Sequence, residues 1–195
     1  NPESYFNMGN CLNEYGELKD AQISYEKAIE LKPDYSDSYN NLGNLLTNHG
    51  KFKDAITNFE KAISIKSNSA QVHYNLSRLK KYVTKDNQFQ LMQNLYLDST
   101  TNDDDRCHLA FALGKAFEDI GDLKHAFIYN NEGNAIRKRQ LQYNQKKDID
   151  LFNQIKSSYL DIKKYSLQKQ NLSINQIPIF IVGMPRSGTT LVEQI

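Results

Sequence analysis

One spacing recurs through the first third of the chain: 34 residues. Tyr5, Gly9, Gly16, Ala21, Tyr25 and Ala28 return as Tyr39, Gly43, Gly50, Ala55, Phe59 and Ala62, and Pro33 gives way to Ser67. A block of this length holds two helices and their turns. It cannot bury an apolar face alone, so such blocks stack and cover one another. The spacing therefore restricts the chain to a helical array. Gly9 and Ala21 are small where two antiparallel helices of one block must approach closely. Gly16 and Gly50 fall where the chain leaves the first helix, a position that calls for positive φ. Tyr25 and Ala28 are expected to pack on the following block.

The blocks cover residues 2–35 and 36–69, and their period and pattern resemble tetratricopeptide repeats. A partial third repeat is expected over 70–83, with Val72, Tyr74, Leu76 and Leu79 apolar and Ser77 in the glycine position. Asp86 to Leu97 reads as a separate amphipathic helix. Ser99 to Asp105 reads as an acidic loop whose Asp103, Asp104 and Asp105 cap the next helix. Leu113, Gly114, Phe117, Gly121 and Ala126 fit a degenerate repeat over 105–145, with helices near 105–120 and 122–145. The basic run at its end reads as a solvated face. Another amphipathic helix is expected over 148–162. The helical domain spans 1–165, and a polar linker occupies 166–176.

Superposing the blocks produces a ladder of amides. Asn7, Asn41 and Asn75 share one position, and Asn10 and Asn44 share another, one turn on, with Arg78 in third place. All lie on first helices, which line the concave face of such an array. Asparagine is a mediocre helix former, so propensity does not explain its recurrence. A primary amide both donates and accepts, and can pair with the backbone of an extended peptide whatever its sequence. The ladder resembles that of O-linked N-acetylglucosamine transferase, where asparagines hold the protein substrate. The competing reading is that these amides bond to neighbouring helices or reflect a chain rich in asparagine.

The last stretch is of another kind. Ile177 to Val182 is a short β-branched run that reads as a buried parallel strand. Gly183 to Thr190 reads as a glycine-bounded turn, and Thr189 onward as the first turn of a helix. Strand, loop and helix in this order cradle a phosphate with backbone N–H groups and a helix N-terminus. Nucleotide triphosphatases carry lysine where this chain has Thr189, so the group that reaches the outer phosphates is missing. That counts against the rival reading of a P-loop kinase or nucleotidase.

The string GMPRSGTTLVEQI resembles the 5′-phosphosulfate-binding loop of sulfotransferases of the tyrosylprotein type and their bacterial relatives. The resemblance implies 3′-phosphoadenosine-5′-phosphosulfate as co-substrate. Arg186, Ser187, Gly188, Thr189 and Thr190 would hold the 5′-phosphate through amides and hydroxyls. Arg186 would also act catalytically, neutralising charge on the leaving phosphate oxygen, a kind of stabilisation worth several kcal/mol. No metal is implied. Repeats followed by this loop resemble bacterial proteins that fuse a repeat domain to a sulfotransferase domain.

The expected architecture is mainly α: a tetratricopeptide-repeat α-solenoid, followed over 177–195 by the first strand and loop of an incomplete α/β sulfotransferase domain. A lone strand and helix stub make no α/β domain. The sequence therefore reads as part of a longer protein, and as given is expected to be inactive. The expected reaction transfers a sulfuryl group to an acceptor hydroxyl, on a polypeptide tyrosine or another acceptor held by the repeats. The alternative is an interaction scaffold whose loop has no function. Net charge is +1, with 24 basic and 23 acidic residues, so nucleic acid is not expected as a partner. No run is long enough to span a membrane. The expected location is cytoplasmic, and the start at Asn1 leaves the true N-terminus open. Cys11 and Cys107 lack metal-ligand spacing and are expected to be buried free thiols. The four histidines sit at unrelated repeat positions and read as structural or solvent-facing.

Overall fold

The computed structural model describes residues 1–142 and 144–165, with side chains through Tyr159. The linker 166–176, the expected strand Ile177–Val182 and the loop residues Arg186, Ser187, Gly188, Thr189 and Thr190 lie outside the described residues. Two compact units are present, Asn1–Tyr143 and Asn144–Ile195. The first holds α1 (Pro2–Tyr15), α2 (Leu18–Leu31), α3 (Ser36–Asn48), α4 (Phe52–Ile65), α5 (Ala70–Ser77), α6 (Asn87–Leu97), α7 (Asp103–Asp119) and α8 (Leu123–Gln140). In the second, α9 (Gln145–Tyr165) is described. Among the described residues, all regular structure is helical.

The repeat chemistry builds the pairs. The Asn1 side chain caps α1 by accepting from the Glu3 N–H at 3.1 Å, and Pro2 opens the helix. Gly16 ends it at φ 83°, and Gly50 and Gly121 adopt φ 71° and 83° at the matching turns. Two residues then separate α1 from α2, so α2 must fold back antiparallel. The two helices meet where Gly9 lacks a side chain. A Cβ there would stand 2.6 Å from the Tyr25 ring, and one on Gly43 would stand 2.7 Å from Phe59. Tyr25 therefore lies against Gly9 of its own repeat and also shares a core cluster with Leu42 and Leu45 of the next, as expected. The missing Cβ of Gly9 opens a slot one ring wide.

The core has two parts. Ala21, Tyr25, Leu42, Phe59, Val72 and Leu76 belong to a cluster shared by α1–α5. Tyr82, Phe89, Met92, Leu109, Leu113 and Phe117 belong to a second around α6–α8. Burying each of these large side chains contributes roughly 1.5–3 kcal/mol before entropy is counted.

The third repeat departs from the pattern. Helix α5 stops at Ser77 and packs mainly on α7. Residues 78–86 run as non-helical chain, pinned by side chains. Asp119 accepts from the Tyr82 N–H at 2.9 Å and from the Lys115 ammonium, which also donates to the Lys80 carbonyl at 3.0 Å. Lys80 in turn pairs with Asp86 and donates to Gln88 at 3.1 Å. Tyr82 ends 1% exposed beneath these groups.

Three further expectations are corrected. Asn102, not an aspartate, caps α7, accepting from the Asp105 N–H at 2.9 Å. Asp103, Asp104 and Asp105 form its first turn, where they suit the helix dipole. Asp103 also meets Arg139 at 3.2 Å, and Asp104 accepts from Gln140 at 2.6 Å, so the basic end of α8 is tied to the acidic start of α7. Helix α8 stops at Gln140, with Gln142 at φ 47°, where continuation to 145 was expected. Cys107 is a buried free thiol as expected, but Cys11 is exposed. Its equivalent in the second repeat, Leu45, is 2% exposed because α2 covers α3, whereas no described repeat covers α1. In α9, Ile149, Phe152, Ile155 and Tyr159 fall along one side of the helix, and all are exposed.

Candidate functional site

The amide ladder falls on the first-helix side of α1, α3 and α5. Its members meet each other. The Asn41 amide donates to the Asn10 side-chain oxygen at 2.8 Å, and the Tyr25 hydroxyl donates to the same oxygen at 2.9 Å. Asn40 donates to Asn41 at 3.2 Å, Asn75 donates to Asn40 at 3.0 Å, and Gln71 donates to Asn75 at 3.0 Å. An unbroken relay of five side-chain amides therefore links α1, α3 and α5, the first helices of three successive repeats: Asn10, Asn41, Asn40, Asn75, Gln71. Asn75 is buried, so the relay satisfies polar groups that would otherwise be costly to enclose.

The relay divides the candidate binding residues. Asn10, Asn41 and Asn75 each make at least one bond within the chain. Asn7 and Asn44 make no side-chain hydrogen bond among the described residues. Asn40, Gln71 and Tyr25 belong to the network although their sequence positions did not single them out. Their only signal is that Asn40 adjoins a ladder residue and Tyr25 faces the glycine one residue before Asn10.

Between α1 and α3 the ladder borders a groove of about 310 Å³, lined by Asn10, Asn13, Glu14, Tyr25, Asn41 and Asn44. The Asn10 oxygen is occupied twice, which leaves its two N–H donors for the groove. The Asn41 amide has a second N–H, and the Asn44 amide offers both a donor and an acceptor. Burial pushes the Tyr25 hydroxyl above its usual pKa, Asn41 opposes this, and the nearby Glu14 charge adds to the rise. Tyr25 therefore remains a neutral donor that fixes the Asn10 amide. A surface of this kind can bind a chain of peptide groups.

The histidines stand apart. His73 is buried, with a ring nitrogen 2.8 Å from the Ser67 carbonyl, and burial lowers its pKa. His108 packs against Tyr74, with ring centres 5.5 Å apart. His125 contacts Asp122 at 2.7 Å, and His49 is exposed.

Comparison with known proteins supports the repeats directly. Residues 2–35 and 24–57 match the family described as tetratricopeptide repeat, and residues 43–77 match the TPR repeat. The repeats over residues 2–77 are tetratricopeptide repeats. Such repeats generally mediate protein–protein interaction. The tetratricopeptide array superposes on the crystal structure of MamA with a TM-score of 0.54, at 19% identity, over 73% of this chain and 82% of that one. It also superposes on BtubC (BKLC) from P. vanneervenii with a TM-score of 0.55, at 17% identity, over 73% of this chain and 65% of that one. Identities this low establish the fold alone. Over 117 residues the chain is 27% identical to an uncharacterized protein of Aquifex aeolicus (strain VF5); the match takes in 60% of this chain and 15% of that protein. Separately, residues 178–195 match the sulfotransferase family. No described helix is long and apolar enough to cross a membrane.

Proposed function

We propose that this chain is the polypeptide-recruiting arm of a sulfotransferase, together with the start of its donor-binding segment. The observation that carries the proposal is the coupling of two matches in one chain: tetratricopeptide repeats over 2–77 and the sulfotransferase family over 178–195. The groove between α1 and α3 supplies amide donors and acceptors suited to an extended peptide. In the complete enzyme, the loop around Arg186 holds the 5′-phosphate of 3′-phosphoadenosine-5′-phosphosulfate. Ser187, Gly188, Thr189 and Thr190 contribute amides or hydroxyls, and Arg186 neutralises the departing phosphate oxygen. The sulfuryl group passes in line to an acceptor hydroxyl, with a general base supplied from outside these 195 residues. Holding the acceptor on the repeats raises its concentration at the donor site.

Calorimetric titration of 3′-phosphoadenosine-5′-phosphate into the complete enzyme tests the donor assignment. Tight binding, weaker binding of ATP and loss of binding in Arg186→Ala are the expected results. Absence of bisphosphate binding removes the enzymatic half of the proposal. It leaves an interaction scaffold, the reading that the repeats alone support.

A further inference from the structure

We infer that the groove between α1 and α3 selects polypeptide segments bearing a lysine or arginine side chain, with the cationic head seated at Glu14. This inference rests on the proposal that the repeats hold a polypeptide, and adds which polypeptides they prefer.

The groove wall is chemically uneven. Five of its six lining residues are neutral, Asn10, Asn13, Tyr25, Asn41 and Asn44, and the sixth is Glu14. Glu14 lies one helical turn beyond Asn10 on α1, on the same side of the helix. It is exposed and forms no ion pair among the described residues. No lysine or arginine lines the groove to neutralise it. The amides beside it are held in place: Tyr25 and Asn41 both bond to the Asn10 oxygen, at 2.9 and 2.8 Å. The Asn10 N–H groups are thus directed to a backbone carbonyl of the occupant, while Glu14 accepts from a cationic side chain next to that carbonyl. The Asn44 oxygen is a second acceptor for the same cation. Two acceptors, one of them charged, suit the several donors of a guanidinium or ammonium group.

The 34-residue register shows that this acid belongs to one block. The position of Glu14 is held by Asn48 in the second repeat and by Tyr82 in the third, where it is buried. The first ladder position of the third repeat is buried Asn75, and the next is Arg78, a cation 5.8 Å from the Tyr74 ring. The preference for a basic side chain is therefore confined to the groove of the first two repeats, and an occupant rich in acids is repelled there. Exposed ion pairs of this kind shift affinity by roughly two- to fivefold.

The test is fluorescence anisotropy with three labelled mixtures of dodecapeptides. Each fixes Arg, Gln or Glu at the centre and randomises the other positions. The expected order of affinity is Arg, then Gln, then Glu, with the Arg-to-Gln ratio near the fold-change above and falling as NaCl is raised. Glu14→Gln is expected to bring the Arg mixture down to the level of the Gln mixture. Asn41→Ala is expected to weaken all three. Equal binding of the three mixtures by the natural chain, or an Arg preference that persists in Glu14→Gln, overturns the inference while leaving the polypeptide-holding proposal intact. If none of the mixtures binds, both fall.

Discussion

At the scale of single residues, the repeat depends on what is missing from Gly9 and Gly43. Their equivalent aromatic partners, Tyr25 and Phe59, are each 1% exposed. Gly43→Ala is expected to improve helix propensity by about 1 kcal/mol yet lose more through overpacking, which costs roughly 1–3 kcal/mol. A net loss of up to about 2 kcal/mol in urea unfolding is the predicted outcome. A variant as stable as the natural chain would mean that the Phe59 ring can yield. The candidate site was partly legible at this scale. Asn10 and Asn41 could be singled out because they recur with the period. Asn40 could not, because its bond from Asn75 depends on the sideways offset between α3 and α5, and the Tyr25 hydroxyl could not, because its bond to Asn10 depends on how α2 lies on α1. A period in sequence specifies neither. The same limit explains Cys11: its pattern matches buried Leu45, but burial depends on which neighbour is present.

Among elements, the order and antiparallel pairing of α1 to α4 were readable, because Gly16 and Gly50 mark the turns and Ala21 and Ala55 mark the contacts. The order of α7 and α8 was also visible, through Gly121 and Ala126. What the sequence did not reveal was the early end of α5. Helix α7 takes the position against α5, and Lys80, Asp86, Lys115 and Asp119 hold the intervening chain, an arrangement made by residues far apart in sequence. Asp86 is central to it, since its side chain also caps α6 by accepting from the Phe89 N–H at 3.0 Å. Partial burial would by itself raise the Asp86 pKa, but the bonds from Lys80 and Phe89 outweigh it and hold the carboxyl below its ordinary 3.8. Asp86→Ala is expected to cost about 1–2 kcal/mol, chiefly the lost cap, because its half-exposed ion pair with Lys80 is screened. A depressed folded pKa stabilises above the ordinary value. The gap between natural and variant melting curves should therefore be full at pH 7 and close as pH falls below about 3.8. A gap independent of pH would assign the effect to packing.

At the scale of the whole molecule, the first two repeats are nearly interchangeable joints. Equivalent residues 8, 42 and 76 show it: Met8 is 46% exposed at the bare face of α1, while Leu42 and Leu76 are 5% and 2% exposed under α2 and α4. The chain also leaves α2 and α4 in the same way, with Lys32 at φ −142°, ψ 87° and Lys66 at φ −134°, ψ 87°. Matching exits and matching faces make the array open to excision. Cutting out residues 36–69 in frame would splice Tyr35 to Ala70 and bring α5 onto α2. Val72 and Leu76 would take the places of Ser38 and Leu42, and Asn75 would inherit the Asn41 bond to Asn10. A cooperative thermal transition that survives at a lower midpoint is the expected result by circular dichroism. Collapse of the helical signal would show the blocks to be less alike than their joints. In the spliced molecule Arg78 would stand where Asn44 had been, across from Glu14. The shortened array would then carry its own counter-charge, and a basic guest would have to displace a tethered rival.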